Sequence, residues 1–456
     1  MSLLTPFNSG SKQGVGLKLV FGDAILGLLK TLIQITFLLF LCCLLSFSNI
    51  SNAATFDDSV RINGFLSFGG GMTDAKAYPG GDHPLDAEDR PNPDEETPRY
   101  SAGPGRFIYD DTLSFKADTR AGLQLSFKLD EKTNAVLQYI SRGSEGNFDA
   151  ALSWANVSYA VRPDFTVRGG RFSLPIYLVS DYLDVGLALP WIRPPAEVYT
   201  TVNLTNITGG DALYAKQLGS VIWRTQVFLG NSVLEREDFT AEFKNLIGFN
   251  SSLIGGNGML RIAYMEYDYH ILPWPLGENR TQLIKALLSV GMGSIESYLD
   301  PNGKGVKFYS LGFNWQVQPW GMQGEWAKRN NAGVTPDVDA YYLTLQYEYK
   351  KWRPHITFAA RRELNKNTRF HPDMEKLALI SVPLAANVEN LVHGFVGIED
   401  NESRSITFGL NYLISNAMIG RFEISEVENI ESTGFFEFST KDKKNHIASF
   451  IIDITF

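Results

Sequence analysis

Cysteine is almost missing from this chain of 456 residues, which has only Cys42 and Cys43. Both lie in one apolar segment near the N-terminus, and Leu41 stands where a lipid-attachment site would need a small residue. The rest of the chain therefore has no thiol for a disulfide or a cysteine metal site. The six histidines are scattered without metal-ligand spacing, so we predict no metal and no cofactor.

Positive charge is also in deficit, because the formal net charge is −9. An acidic total argues against a nucleic-acid partner. The sequence contains no phosphate-binding glycine motif, no nucleophile elbow and no catalytic carboxylate pair. We therefore predict that the protein is not an enzyme.

Long apolar runs are limited to one, Leu32–Phe47, which follows three lysines, Lys12, Lys18 and Lys30. The run falls short of the ~20 residues that a membrane-spanning helix needs. Ser51-Asn52-Ala53 offers small residues at the positions that a signal peptidase recognises. The sequence predicts a secretory signal peptide at residues 1–53, removed after Sec-type export, and one domain at residues 54–456. The alternative is a transmembrane anchor.

The remaining chain shows repeated two-residue alternation of apolar and polar side chains, which indicates strands with one apolar face. Counting these segments predicts about sixteen strands. They are Ser59–Gly70, Thr119–Leu129, Asn134–Arg142, Ala151–Val161, Phe165–Phe172, Asp211–Lys216, Ser220–Leu229, Thr240–Ser251, Gly258–Tyr269, Val306–Val317, Trp320–Arg329, Asp339–Tyr349, Arg353–Arg362, Ser403–Leu413, Ala417–Val427 and Asn445–Phe456.

Short turns and longer loops alternate between these strands, which places every short turn at one end. Aromatic residues gather at that short-turn end: Trp315, Trp320, Tyr347, Tyr349 and Trp352. A β-sandwich also has many strands, but it needs neither feature. Lipid offers no hydrogen-bond partners, so a sheet that crosses a membrane must close on itself. The pattern predicts an all-β, transmembrane antiparallel β-barrel.

The last strand carries an apolar face formed by Phe450, Ile452, Ile454 and Phe456. We expect this face to contact lipid. Because a closed barrel has no edge, we expect the strand to pair with the first one, near Arg61.

The polar face of the strands should line the lumen. Its cations are Arg61, Arg120, Lys128, Arg168, Arg224, Lys244, Arg261, Arg353, Arg361 and Arg421. Two interpretations stay open: an ordinary solvated lumen, or a basic wall that faces acidic residues across a constriction.

The third loop, Ser173 to Gly210, is long and rich in proline and aromatic residues. We expect it to fold into the lumen and constrict the pore with Asp181, Asp184, Arg193 and Glu197. The alternative is an external flap without a role in the pore.

Two other loops have their own character. The first loop holds Asp74, Asp82, Asp86, Glu88, Asp89, Asp94, Glu95 and Glu96. Their spacing matches no EF-hand, so a solvated acidic loop is favoured over a cation site. In the fifth loop, the spacing of Leu283, Ala286, Leu287 and Met292 favours a helix.

The run from Arg168 to Pro175, then Ser180-Asp181, Leu183–Gly186 and Pro190–Tyr199, resembles Gram-negative outer-membrane porins, especially those of gammaproteobacteria. The resemblance implies a sixteen-stranded porin, commonly a homotrimer, in the bacterial outer membrane, with the third loop inside the pore. It also implies contact with lipid and lipopolysaccharide, and recognition of the C-terminal strand by the barrel-assembly machinery.

Three functions follow as hypotheses. The first is passive diffusion of small hydrophilic solutes and ions through a water-filled channel. The second is a solute-specific channel for anions such as carboxylates, which a lysine ladder would favour, although the inner face carries mostly isolated arginines. The third is a barrel enzyme or adhesin, for which no catalytic cluster is found.

Overall fold

A computed structural model shows a closed antiparallel β-barrel of sixteen strands. It describes residues 55–56, 59–75, 100–101, 107–145, 148–235, 240–272, 304–331, 336–364, 371–386, 402–430 and 443–456, with 285, 289, 291 and 388. The strands are β1 Val60–Thr73, β2 Arg120–Lys128, β3 Thr133–Arg142, β4 Ala150–Arg162, β5 Phe165–Ser173, β6 Asn206–Leu218, β7 Val221–Glu235, β8 Thr240–Gly255, β9 Gly258–Leu272, β10 Lys304–Val317, β11 Trp320–Asn331, β12 Asp337–Tyr347, β13 Trp352–Leu364, β14 Ser403–Ser415, β15 Met418–Asn429 and β16 Lys444–Thr455.

Each strand pairs with the next, and β16 pairs with β1, so the sheet has no free edge. At the seam, the amide of Phe456 donates to the carbonyl of Gly64 at 3.0 Å, and the amide of Gly64 donates back at 2.9 Å. The Phe456 ring lies directly over Gly64, where any Cβ would collide with it. The predicted closure between the last and first strands is confirmed.

All sixteen predicted strands are present, and most are longer than the sequence indicated. The largest difference is β6, which begins at Asn206 instead of Asp211. Gly209 and Gly210 suggested a loop, yet they pair in register with Gly170 and Gly169 of β5. Sheet pairing on both sides thus overrides the low strand propensity of glycine.

Burial along the strands is inverted relative to a soluble protein. In β12, Leu343 is 46% exposed, whereas the neighbouring Thr344 is 0% exposed. The same alternation leaves large apolar side chains on the outer face of nearly every strand. An apolar outer face of this kind is the pattern of transmembrane β-barrels.

Two rows of aromatic side chains bound this apolar band. The predicted row at the short-turn end is exposed as expected: Trp315, Trp320, Tyr347, Tyr349 and Trp352. A second row, which the sequence analysis missed, runs across β9–β12 as Tyr264, Tyr309, Trp326 and Tyr341. On each of these strands the next outward residue towards the loop end is charged: Glu266, Lys307, Lys328 and Asp339. This change from aromatic to charged side chains marks the second boundary of the apolar band.

One predicted inward cation faces the other way. Lys244 lies on the outer face and pairs with Glu242 at 2.7 Å. A β-bulge follows it, with Asn245 at a φ of 53°. The bulge shifts the alternation by one residue, so strand register extrapolated from the short-turn end gave the wrong face.

The connections add short elements. They are the strands Thr55–Phe56, Tyr100–Ser101 and Phe107–Tyr109, the 3-10 turns Gly143–Glu145, Ser180–Tyr182 and Gly186–Ala188, and the helices α1 Ala196–Tyr199 and α2 His371–Ile380. Helix α2 lies in the seventh loop and was not predicted. Among the described residues, no helix is long and apolar enough to cross a membrane.

Several predictions lie outside the described residues. They are the signal peptide at residues 1–53, the acidic residues Asp82, Asp86, Glu88, Asp89, Asp94, Glu95 and Glu96 of the first loop, and the helical spacing of Leu283, Ala286, Leu287 and Met292.

Candidate functional site: the barrel lumen

Loop three, residues 174–205 between β5 and β6, lies inside the barrel. Its backbone bonds to inner-face side chains of strands far away in sequence. Arg261 on β9 donates to the carbonyl of Pro175 at 2.8 Å, and Asn411 on β14 donates to that of Pro190 at 2.8 Å. The loop therefore reaches across the lumen instead of extending beyond the rim.

An apolar core holds the loop against the wall. Loop-three residues such as Ile176, Leu178 and Trp191 pack with inward residues of β7–β13 such as Phe308 and Tyr342. The indole N–H of Trp191 donates to Thr344 at 3.0 Å and to Thr357 at 2.9 Å. This core supplies the packing that a connection of this length needs, since its regular structure is limited to two 3-10 turns and the short helix α1.

Two buried carboxylates of the wall accept backbone amides of the loop. Glu325 on β11 accepts from the amide of Leu178 at 2.9 Å, and Glu423 on β15 accepts from that of Ile192 at 2.8 Å. A buried amide without a partner would cost about 1–3 kcal/mol. These bonds therefore fix the path of the loop as well as its depth.

The four predicted constriction residues are placed within this arrangement. Asp184 forms an ion pair with Arg142 at 2.7 Å. Asp181 lies 3.9 Å from Arg261, and its side chain is 59% exposed. Arg193 contacts Asp118 and donates to Ser449 at 3.1 Å. Three of the residues thus bring charge to the boundary between loop and wall.

Glu197 is buried in α1, where it faces inner-wall groups. Burial raises the pKa of its carboxyl above the usual value, and this outweighs the hydrogen bond from Ser405 and the charge of Arg361, which lower it. The raised pKa makes this carboxyl easier to protonate than an ordinary glutamate.

The eight arginines of the predicted wall, Arg61, Arg120, Arg168, Arg224, Arg261, Arg353, Arg361 and Arg421, lie on the inner face, and so does Lys128. Five of them have acidic partners: Arg168 with Asp211, Arg261 with Asp181, Arg353 with Glu348, Arg361 with Glu363 and Arg421 with Asp453. The wall is a mixed surface of ion pairs more than a basic one.

The acidic half of this surface was missed from the sequence. It consists of Asp118, Asp211, Glu325, Glu363, Glu423 and Asp453, all buried. The alternation that placed the arginines inward would have placed Glu325 and Asp453 there too.

One of these ion pairs lies behind the barrel seam. Arg421 on β15 contacts Asp453 on β16 at 2.8 Å, and both side chains are buried. Ser67 on β1 donates to the same carboxylate at 2.5 Å. Arg421 also donates to the Trp191 carbonyl at 3.2 Å. The cluster connects the two terminal strands with loop three.

The outward side chains of the closing strand, β16, become more exposed towards its C-terminal end. Phe456 is exposed and Ile454 half-buried, whereas Phe450 and Ile452 are buried. The ring of Phe115, from the segment before β2, stacks on Phe68 and meets Phe450 edge-on at 5.8 Å. Phe450 is thus covered by protein.

An arginine-lined cavity of about 180 Å³ lies between loop three and β2–β6. Arg120, Arg142 and Arg193 line it together with Asp118 and Asp184. Nε and Nη2 of Arg120 are buried, with no hydrogen bond in the described part of the chain. Among the described residues, no group of three or more metal-ligating side chains is placed to hold an ion.

Comparisons with known proteins bear on the fold. No protein-family model and no curated protein matches the sequence. The chain is similar to OmpF of Salmonella typhi, solved with daunomycin, at 11% identity and a TM-score of 0.51, over 89% of this chain and 100% of that chain. It is also similar to the outer membrane channel DcaP of Acinetobacter baumannii, at 10% identity and 0.50, with the same coverage.

A third similar structure is an anion-selective porin from Comamonas acidovorans, at 12% identity and a TM-score of 0.50, over 87% of this chain and 99% of that chain. At these identities the likeness concerns the fold alone. The chain therefore has the sixteen-stranded barrel fold of outer-membrane porins.

Proposed function

We propose that this protein forms a water-filled channel across the bacterial outer membrane for passive diffusion of small hydrophilic solutes and ions. The observation that carries the proposal is the inverted burial of a closed sixteen-stranded barrel, which is apolar outside and charged inside. A barrel of this size has an interior that wall side chains cannot fill. A channel is therefore favoured over an enzyme or an adhesin.

In this proposal loop three constricts the pore. The loop occupies the lumen beside β7–β13, and the arginine-lined cavity beside β2–β6 marks the side that solutes would follow. Because that side combines arginines with aspartates, we expect weak ion selectivity. The anion-specific alternative is not favoured, since five of the eight wall arginines are already paired.

The proposal includes the cellular context that the porin resemblance implies. The protein would be exported with removal of residues 1–53, inserted by the barrel-assembly machinery, and surrounded by lipid and lipopolysaccharide as a homotrimer. Fractionation of the membranes and the mass of the detergent-solubilised protein test this context. Recovery from the inner membrane, or the mass of a single chain, would count against it.

Planar-bilayer recording of the purified, refolded protein tests the channel itself, and we expect stepwise conductance. Asp181→Lys should shift the reversal potential in a salt gradient towards anions, because the exposed Asp181 lies on loop three. Asp164→Lys makes the same charge change in an exposed short turn and should shift it much less. Absence of conductance contradicts the proposal, and equal shifts place Asp181 outside the path.

A further inference from the structure

The lumen holds a second cavity, of about 250 Å³, between loop three and the short-turn end. The loop-three segment 187–190 covers it, and β10–β15 form its wall. Gln316 and Gln318, which line the cavity on the side of the short turns, are exposed. The cavity therefore opens towards the short-turn mouth of the barrel. It lies across the lumen from the arginine-lined cavity described above.

The wall of this cavity is unusually rich in amide side chains: Asn314, Gln316, Gln318, Gln323, Gln346 and Asn411. Three of them form a chain of hydrogen bonds. Gln316 donates to Asn314 at 3.4 Å, and Asn314 donates to Gln323 at 3.1 Å. The charged residues of the lining, Arg353 and Glu348, pair with each other at 3.0 Å. The cavity is therefore polar but close to neutral.

Two buried amides leave one group each without a partner among the described residues. Gln323 is 4% exposed and uses its oxygen for Asn314, while its Nε2 has no hydrogen bond. Asn411 is 3% exposed and uses its nitrogen for Pro190, while its Oδ1 has none. Buried polar atoms in proteins are normally hydrogen-bonded, so these two atoms point to a polar occupant.

The chemistry of the unsatisfied atoms restricts what that occupant can be. Gln323 offers a donor and Asn411 an acceptor, and a hydroxyl group can satisfy either, because it both donates and accepts. A carboxylate could use only donors and would meet the Asn411 oxygen. An ammonium group could use only acceptors and would meet the Gln323 nitrogen. A neutral sugar offers hydroxyl groups that can serve either atom without bringing a net charge into the cavity.

We propose that this cavity is a subsite for a neutral, polyhydroxylated solute of about one sugar ring. The inference rests on the proposed channel function and names a class of solute that binds at the short-turn mouth of the channel. The volume lies just below the ~300–1,000 Å³ of typical small-molecule pockets, which suits a single ring.

Saturation-transfer NMR on the refolded full-length protein in detergent tests the subsite without requiring conductance. The probes are glucose, glucuronate and glucosamine, which share a pyranose ring and differ in charge. We expect saturable transfer to glucose, and at least fivefold weaker binding of the other two. Glucuronate binding as tightly as glucose overturns the proposal.

Variants locate the binding. Gln323→Met and Asn411→Leu each remove one unsatisfied group at similar size, and each should weaken glucose binding about tenfold, as expected for one lost hydrogen bond of ~1.4 kcal/mol. Gln316→Met, at an exposed position, should weaken it about threefold and keeps the test valid if a buried variant does not fold. Gln138→Met changes an inner-face amide bonded to Gln124 on the opposite wall and should leave binding unchanged.

The two proposals fail separately. Conductance without glucose binding, or binding that Gln323→Met, Asn411→Leu and Gln316→Met all leave unchanged, removes the subsite and keeps the channel. Glucose binding without conductance removes passive diffusion and keeps the subsite.

Discussion

Single side chains hold loop three in the lumen, and Trp191 is the largest fully buried one. Its indole N–H reaches two threonine hydroxyls that also bond to each other at 2.8 Å. Its ring meets Tyr342 edge-on at 5.2 Å. Position 191 therefore combines apolar packing with a hydrogen bond, and the two contributions can be separated by substitution.

Trp191→Phe keeps most of the packing and removes the donor. Because Thr344 and Thr357 still satisfy each other, we expect a loss of only about 1–2 kcal/mol in the free energy of unfolding. Hydrogen exchange at the Ile192 amide should accelerate as the loop loosens. Trp223→Phe is the control, since Trp223 donates to Ser251 within the wall; unchanged Ile192 exchange in Trp191→Phe would contradict the role given to the indole.

The buried carboxyl of Glu197 should make the free energy of unfolding depend on pH. Because burial raises its folded-state pKa, the neutral carboxyl favours the folded protein. This contribution is complete below the unfolded pKa of about 4.3 and is lost as the pH rises through the folded-state pKa. A glutamine side chain stays neutral at both pH values. The unfolding free energy of Glu197→Gln should therefore exceed that of the unchanged protein by a larger amount at pH 7 than at pH 4.

Denaturant unfolding at the two pH values measures the Glu197 effect. Glu131→Gln, in an exposed short turn, serves as the control and should not change the pH profile. If the unfolding free energies of Glu197→Gln and of the unchanged protein differed by the same amount at both pH values, the Glu197 carboxyl would have the same pKa in the folded and unfolded states.

At the scale of elements, the strands were predictable and loop three was not. Two-residue alternation located every strand, because sheet geometry and lipid on one face impose that period. The path of loop three depends on partners such as Glu325 and Glu423, which lie far away in sequence. The resemblance to porins suggested an inward loop. The apolar core of the loop and its contacts with β9–β16 could be identified only from the folded structure.

Depth in the membrane can be tested on two outward leucines. Leu343 on β12 lies in the apolar band, whereas Leu364 ends β13 beyond the second aromatic row. Leu343→Arg should destabilise the barrel by about 2–4 kcal/mol, and Leu364→Arg by only about 0–1 kcal/mol, if these positions lie at the midplane and the interface. Unfolding in lipid vesicles measures both; equal losses would contradict the assigned band.

For the whole molecule, closure depends on the seam between β16 and β1. Backbone bonds seal it to the last residue, and the buried Arg421–Asp453 pair supports it from inside. Loop three also bonds to this cluster through the Trp191 carbonyl. Barrel closure and the position of the loop are therefore coupled.

Asp453→Asn leaves the Arg421 guanidinium buried without its charged partner. Breaking a buried pair in this way costs about 3–5 kcal/mol, and we expect a loss of that size in the unfolding free energy. Glu428→Gln disrupts the solvent-screened pair with Arg404 and should cost far less. Similar losses for both variants would mean that the buried Arg421–Asp453 pair stabilises the barrel no more than the Arg404–Glu428 pair does.

The sequence by itself determined the barrel, the number of strands, the segregation of turns and loops, and the inward position of the arginines. These follow from local periodicity, which each strand carries within its own residues. Tertiary structure alone decided that Arg168, Arg361 and Arg421 are paired with buried carboxylates, that a bulge turns Lys244 outward, and that an amide-lined cavity lies beneath loop three. Those features depend on which residues meet across the lumen, and contacts between distant residues leave no periodic signal in the sequence.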